Sequence, residues 1–542
     1  MTLRLEIDDT IANASAAASI FECAETANVA IPTSCRKNGK CRECLVEVLD
    51  GMDLLESPGA EEDSVQSPFR LSCCARFSGA EGLVRCRTLR RGSMQIATEG
   101  EELSSIDFET DPVVRREDGV LKLHGGSVGD DSGPLLGISI DIGTTTVVLR
   151  VVDLETGQTL ETRSFENPQR FGGSDVMARI QYDIEHPGRQ LQRTLLAYLA
   201  REVGQLRCEP TSIYEYVVAG NSTMRDLFFG LDVTSIGQRP YRSLVEHEVE
   251  RGERDDTTLS APAKKLRLPA HPAASVFGLP LIRGHVGADA AACALAIDLA
   301  NEDRLVALMD IGTNTELLIG NRERVVAASC PAGPAFEGGA ISCGMPGVEG
   351  AIDRVTISSD GSATWSTIGD APPQGICGSG LVACLSELRR TELLNELGRF
   401  EDESERFTLD AERNIYLSEA DISELAQAKG ANVAGFQLAL KHNGSELDDV
   451  EVFYLAGGFA KHLDVDSARR IGLIPDLPDE RIVQIGNASI EGATRALCSE
   501  SRRRELSNLL RRVTHVELET DERFFDVFVD GCQFQAFGSS QP

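Results

Sequence analysis

Apolar and polar positions alternate at Leu3–Ile7 and at Leu45-Val46-Glu47-Val48, a period of two that predicts short half-buried strands. From Leu135 the pattern changes. Leu135-Leu136-Gly137-Ile138-Ser139-Ile140 is nearly all apolar, as a strand covered on both faces requires, and it leads into Asp141-Ile142-Gly143-Thr144-Thr145-Thr146 and then a second apolar strand, Val147–Asp153. The same strand, turn and strand recur 169 positions later, from Leu305–Met309 through Asp310-Ile311-Gly312-Thr313-Asn314-Thr315-Glu316 to Leu317-Leu318-Ile319. Solenoid repeats have periods of roughly 20–50 residues, so this spacing implies a duplicated domain. Apolar residues at i, i+3 and i+4 predict helices over Arg189–Glu202, Gly380–Leu394 and Asp421–Lys441. Val513–Phe537 reads as a strand and a short helix, and Val452–Ala456 as a buried strand ending in Gly457-Gly458-Phe459-Ala460. Between about Ser93 and Pro134 periodicity is weak and Gly-rich turns and acidic residues collect, the mark of a linker, with one short strand at Val120–Leu123.

Composition narrows the function classes. The 542 residues exceed one compact core, so two to four domains are expected. Lys and Arg number 53 against 85 Asp and Glu, a net charge of -32, which repels phosphate backbones and anionic lipid. No nucleic-acid or membrane partner is expected. No run of 18 apolar residues occurs and the N-terminus lacks a signal-peptide core, so the expected location is cytoplasmic. There, Asn-x-Ser/Thr triplets such as those at Asn221 and Asn487 carry no meaning as glycosylation sites.

Fifteen cysteines in such a chain read as metal ligands and buried thiols rather than disulfides. Seven lie in the first 86 residues. Cys35, Cys41 and Cys44 form C-x5-C-x2-C, and Cys73, with Cys74 as its alternative, supplies a distant fourth thiol. Three thiolates on one loop and one from afar suit a small iron–sulfur cluster, and amides around Gly39 can bond its sulfides. Zinc modules show paired C-x2-C knuckles or His partners, which are lacking here. Cys23 and Cys86 read as packed thiols. The spacing resembles that of vertebrate-type and activator-type 2Fe-2S ferredoxins.

The duplicated turns carry phosphate chemistry. Gly143 and Gly312 allow close backbone approach, Thr144, Thr145, Thr313 and Asn314 offer hydrogen bonds, and Asp141 is placed to hold hydrated Mg²⁺. Asp310 repeats that carboxylate from the other half. Asp289, before an apolar helix, either positions an attacking water or caps the helix. Glu337 is expected to reach a ribose, and Gly457 and Gly458 to let an adenosine lie against the backbone. No Walker A loop is present.

These elements, in this order, resemble the acetate and sugar kinase, actin and heat-shock chaperone ATPase superfamily. With the cysteine module ahead of them, and with Asn167-Pro168-Gln169, Gly173-Ser174-Asp175-Val176, Ala219-Gly220-Asn221-Ser222-Thr223-Met224, Val286-Gly287-Ala288-Asp289, Gly333-Pro334-Ala335-Phe336-Glu337-Gly338, Gly375-Ile376-Cys377-Gly378-Ser379-Gly380 and Ala456-Gly457-Gly458-Phe459, the chain resembles reductive activators of corrinoid proteins over nearly its whole length. The resemblance implies an α/β fold: a β-grasp 2Fe-2S ferredoxin domain at 1–92, a linker and reduced middle region at 93–135, and two RNase-H-like ATPase halves at 136–304 and 305–542. It implies a 2Fe-2S cluster, ATP and Mg²⁺ as cofactors. It also implies ATP-dependent reduction of a corrinoid protein from Co(II) to Co(I) in a methyltransferase system, an upstream reductase or ferredoxin as electron donor, and a homodimer. The rival readings are a nucleotide-regulated redox module without turnover and a ferredoxin-fused small-molecule kinase.

Overall fold

The computed structural model describes residues 3–537 except 9, 30, 32, 34–36, 40, 41, 43, 80, 90, 93–109, 118, 131, 132, 403 and 459. Cys35, Cys41 and Phe459 therefore lie outside the described residues.

The first alternating segment forms the strand Arg4–Ile7, with Leu5 and Ile7 fully buried and Arg4 and Glu6 turned outward. It pairs antiparallel with Thr10–Asn13 and parallel with Leu83–Thr88. Leu45–Asp50 and Phe69–Leu71 complete a five-stranded sheet. The helix Ile20–Thr26 packs Ile20, Phe21, Cys23 and Ala24 against it. A capping box, Ser19 to Glu22, starts that helix. This is the β-grasp arrangement expected of the cysteine module.

The duplication is visible in the sheets. In the first half Leu136–Ile142 runs antiparallel to Thr146–Asp153 and parallel to Ile213–Gly220. In the second half Val306–Ile311 runs antiparallel to Thr315–Gly320 and parallel to Val452–Ala456. Each half thus places its turn after the first strand, at the corresponding end of two central strands in an equivalent sheet. All seven residues of Leu136–Ile142 are buried, which explains why the run is apolar rather than alternating. The expected helices appear as Gln190–Val203, Gly378–Arg390 and Glu419–Asn443. The C-terminal region forms the strand Val513–His515 and the helix Phe524–Gly531.

Two short helices join the halves. Ala288–Ala296 is almost entirely small residues and lies against Ala488–Cys498. A Cβ on Gly492 would sit 1.8 Å from the Ala292 carbonyl oxygen, so only glycine permits this approach. One apolar core there includes Val217 and Ala219 of the first half and Val306, Leu308 and Ala456 of the second.

Two findings alter the expected linker. Val120–Leu123 is a strand, as expected, but it is the middle of a three-stranded sheet with Val114–Glu117 and Gly126–Asp130. Val113, Val114, Leu121 and Leu123 are buried in the core shared with the halves. The alternation Val120-Leu121-Lys122-Leu123 carried this signal within a stretch of low overall hydrophobicity. In addition Arg91–Gly92, directly after the cysteine module, adds an antiparallel edge strand to Thr159–Glu166 of the first half. No helix among the described residues is long and apolar enough to cross a membrane.

Candidate functional site

The first turn is held from behind. Gly143 N–H donates to the Thr146 carbonyl at 2.9 Å, and a Cβ on Gly143 would fall 2.6 Å from that oxygen. The Gly143 carbonyl accepts from Asn167 Nδ2 at 2.8 Å, the Thr144 carbonyl from Arg179 Nη2 at 2.6 Å, and the Thr145 carbonyl from Asn167 N–H at 2.7 Å. A trans peptide points its N–H opposite to its carbonyl, so the amides of Thr144, Thr145 and Thr146 face the other way, into the cleft these residues line. In the second turn Gly312 N–H donates to the Asn314 carbonyl at 3.1 Å. Thr313 Oγ1 donates to Glu337 Oε2 at 2.6 Å, and Thr145 also bonds the Glu337 carboxylate. Glu337 therefore ties the two turns together. Glu337, expected to reach a ribose, lines the same cavity with its carboxylate on the Thr313 hydroxyl.

All twelve residues expected at the nucleotide site line one cavity of ≈ 170 Å³. Asp141, Gly143, Thr144 and Thr145 come from the first half, with Asp289 at the joining helix. Asp310, Gly312, Thr313, Asn314, Glu337, Gly457 and Gly458 come from the second. Gly457 has φ +119° and its Cβ would meet the Ile311 carbonyl at 2.3 Å, whereas a Cβ on Gly458 would meet nothing within 4 Å. The Gly458 backbone thus presents a flat, open surface to the cavity.

The cavity also contains residues the sequence reading did not assign: Asn221, Glu316, Asn487 and Ser489. Asn487 Nδ2 donates to Asp141 Oδ2 at 2.9 Å and Ser489 Oγ to Asp141 Oδ1 at 2.8 Å. Asn221 Nδ2 donates to Thr144 Oγ1 at 3.3 Å. Both asparagines are helix N-caps, accepting from Met224 N and Ile490 N at 2.9 Å. Their position just before a helical run was the available signal, and the triplet reading passed over it. For Glu316 the signal was a lone charge entering an apolar strand.

Three helices, Ser222–Phe229, Ala288–Ala296 and Ala488–Cys498, begin at this cavity. Helix N-termini carry partial positive charge, which suits phosphate. Against them stand five carboxylates, Asp141 and Glu316 buried and Asp289, Asp310 and Glu337 half-buried. Burial raises Asp141 above its ordinary value, against hydrogen bonds from Asn487 and Ser489 that pull it down. Burial pushes Asp289 up to about 7, reinforced by the Asp141 and Asp310 charges. Asp310 is likewise pushed up to about 7 by burial, with Asp141 and Glu337 nearby. Burial raises Glu316 well above its usual range and Glu337 above its own. Carboxylates lining one cavity are costly without a divalent cation, and with one their charges become favourable. Among the described residues no three of them converge as a metal site by themselves, so the lining fits a Mg²⁺ whose shell phosphates and water complete. The helix-cap alternative for Asp289 is corrected: Gly287 occupies the N-cap, and Asp289 accepts only from Ala290 N–H at 2.8 Å, leaving its carboxylate at the cavity wall.

In the cysteine module Cys44 and Cys73 are buried with their Sγ atoms 3.3 Å apart. That exceeds a disulfide bond and suits two thiolates on one small inorganic centre. Cys74 Sγ lies 3.7 Å from Cys73 Sγ, and Cys74 is partly exposed. The hydrogen bond with Cys44, the largest effect, lowers Cys73, and the Gly39 amide adds to it; burial raises Cys74. Of the two alternatives the geometry favours Cys73. Cys23 and Cys86 are buried thiols, as expected.

Fold and site together define an actin-like nucleotide-clamp protein joined to a ferredoxin-like iron–sulfur module. Comparison with known proteins agrees. A family model for the 2Fe-2S iron–sulfur cluster binding domain matches residues 6–78, one for the RACo middle region 136–302, and one for the C-terminal domain of RACo, the ASKHA domain, 304–541. The chain is 32% identical over 432 residues to the corrinoid activation enzyme RamQ of Eubacterium limosum, spanning 74% of this chain and 70% of that one. It is 24% identical over 446 residues to the Co(II) methylated amine-specific corrinoid protein reductase of Methanosarcina barkeri, spanning 75% and 78%. The solved structure of a reductive activator for a corrinoid, iron–sulfur protein superposes with a TM-score of 0.72 at 28% identity, covering 99% of this chain and 98% of that one. The chain belongs to the RACo family of corrinoid activation proteins. The model for the middle region falls on 136–302 rather than on 93–135, so the segment expected to be a reduced middle region is not its counterpart.

Proposed function

We propose that this protein couples MgATP to the return of a corrinoid protein from Co(II) to Co(I), within a methyltransferase system, with the electron passing through the cysteine module. The observation that carries this reading is one chain holding both the carboxylate-lined double-turn cleft and the converging Cys44 and Cys73 thiols, in a family whose members are named corrinoid activators and reductases. In this reading Asp141 and Asp310 hold a hydrated Mg²⁺, and Thr144, Thr145, Thr313 and Asn314 take the phosphates. Gly457 and Gly458 accept the adenosine. Asp289, at about 7, accepts a proton from water at the cleft wall. Cys35, Cys41, Cys44 and Cys73 hold the cluster, which when bound supplies a one-electron relay with a potential on the order of -400 mV if it behaves as a plant-type centre. An upstream low-potential donor refills it.

The cobalt couple lies below such a potential, so electron flow is uphill. ATP assists only through states that differ in affinity for nucleotide or partner. A two-half clamp with Glu337 tying both phosphate turns is built for such states. The test is anaerobic spectroscopy of a Co(II) corrinoid protein with this protein, a low-potential reductant, and MgATP or no nucleotide. Growth of a Co(I) band only with MgATP, lost in Cys73→Ala and in Asp141→Ala, is expected. Absence of Co(I) while the iron–sulfur spectrum is intact would favour the redox module without turnover. Phosphate transfer to a small acceptor would favour the kinase.

A further inference from the structure

The turn at residues 166–171 touches both parts of this machine. On the cleft side, Asn167 supplies the two hydrogen bonds that hold the Gly143 and Thr145 carbonyls. On the other side, Glu166 is buried and accepts from Arg87 Nη1 of the cysteine module at 2.9 Å and 3.1 Å. Arg87 also pairs with Glu47 of the module at 2.6 Å. Four residues on from Glu166, Arg170 pairs with it at 3.0 Å. The Phe171 carbonyl accepts from Gln66 N–H at 3.2 Å, and its ring lies 5.4 Å from the Arg42 guanidinium. Arg42 stands between Cys41 and Cys44 in the cysteine loop itself.

Adjacent residues of one short turn therefore grip the phosphate loop and the module. The link is stiff: Pro168 and the Asn167 cap, which accepts from Gln169 N–H at 2.9 Å, fix the start of the 3₁₀ turn Pro168–Gly172. It is also imperfectly satisfied. Gln169 is fully buried and, among the described residues, neither atom of its side-chain amide has a hydrogen-bond partner, a cost that leaves the turn short of its best-satisfied arrangement. A phosphate drawing on the Thr144–Thr146 amides pulls on the same peptides whose carbonyls Asn167 holds.

We propose that Asn167 and Glu166 are positioning residues through which nucleotide occupancy of the cleft and the hold on the cysteine module change together. This rests on the reading of the cleft as a nucleotide site. Coupling of this kind is reciprocal: if nucleotide alters docking, docking alters nucleotide affinity by the same factor.

The test uses full-length, cluster-loaded protein and a non-hydrolysable MgATP analogue. Calorimetry gives the analogue's Kd for the wild type, for Arg87→Glu, and for the charge-conserving Arg87→Lys, with cluster absorbance confirming an intact module. Hydrogen exchange of residues 64–71 is followed in the wild type with and without analogue. The expected result is a Kd change of roughly fivefold or more in Arg87→Glu, a smaller change in Arg87→Lys, which keeps a cation between Glu47 and Glu166, and exchange at 64–71 that responds to analogue. An unchanged Kd in Arg87→Glu together with unresponsive exchange at 64–71 overturns the coupling and leaves the cleft reading standing. No analogue binding by the wild type overturns the cleft reading, and the coupling with it.

Discussion

The Asn487 amide donates to the Asp141 carboxylate at 2.9 Å across 346 positions of chain. One residue thus caps a helix of the second half and orients the carboxylate that anchors the first. The two tasks are separable. Serine at 487 keeps an N-cap of similar strength but is too short to reach Asp141. Asn487→Ser is expected to leave the thermal midpoint nearly unchanged and to weaken MgATP binding about tenfold, the worth of a hydrogen bond to a charged group. Calorimetry and thermal unfolding on the same preparation separate the effects. A large drop in midpoint with unchanged binding would show that capping is the whole of its role.

The fourth thiol is decided by substitution. Cys73→Ala is expected to abolish the visible absorbance of the iron–sulfur centre and Cys74→Ala to retain it, because Cys73 is the thiol that meets Cys44 at 3.3 Å. Loss of absorbance only in Cys74→Ala would reverse the assignment.

The cavity carboxylates give the nucleotide-free protein a distinctive pH response. Asp289 and Asp310 titrate near about 4 when unfolded, and burial pushes both up to about 7 in the fold. The folded state then binds more protons than the unfolded one between these values. Their contribution to stability is complete below the unfolded value and is lost as pH rises through the folded one. The metal-free midpoint is expected to fall between about pH 4 and 7, and Asp289→Asn to flatten the fall. MgATP is expected to flatten it in the wild type as well. A profile identical in wild type and Asp289→Asn would refute this account.

The joining helices predict a stability defect. A methyl group at 492 would lie 1.8 Å from the Ala292 oxygen, so the backbones must part. Gly492→Ala is expected to cost about 1–3 kcal/mol, read as a lower urea midpoint. An unchanged midpoint would show that the helices separate freely.

The fold was legible because its two signals are local. An all-apolar run announces a covered strand, and a copy of the same strand and turn 169 positions on announces duplication. The Asp-x-Gly-Thr turns identified most of the cleft for the same reason: each is a contiguous motif. What escaped was held by distance. Nothing near Asn487 names Asp141 as its partner, and nothing near Glu337 names Thr313 and Thr145 as its neighbours. The sheet at Val114–Asp130 escaped for another reason: its few apolar residues are buried by a neighbouring core rather than by one another.

The edge pairing of Arg91–Gly92 with Ser164 and Phe165 sets how far the cysteine module can travel. Its last strand ends at Thr88, so only Leu89 and Arg90 separate it from that anchor. Such a tether spans at most roughly 10 Å. The long stretch 93–135 offers no extra slack, because it pays out beyond the anchor, between the edge strand and the next strands of the same half. While the anchor holds, the module can pivot but cannot travel. On the electron path proposed above, the corrinoid protein then comes to a fixed port beside the clamp, rather than the module going out to meet it.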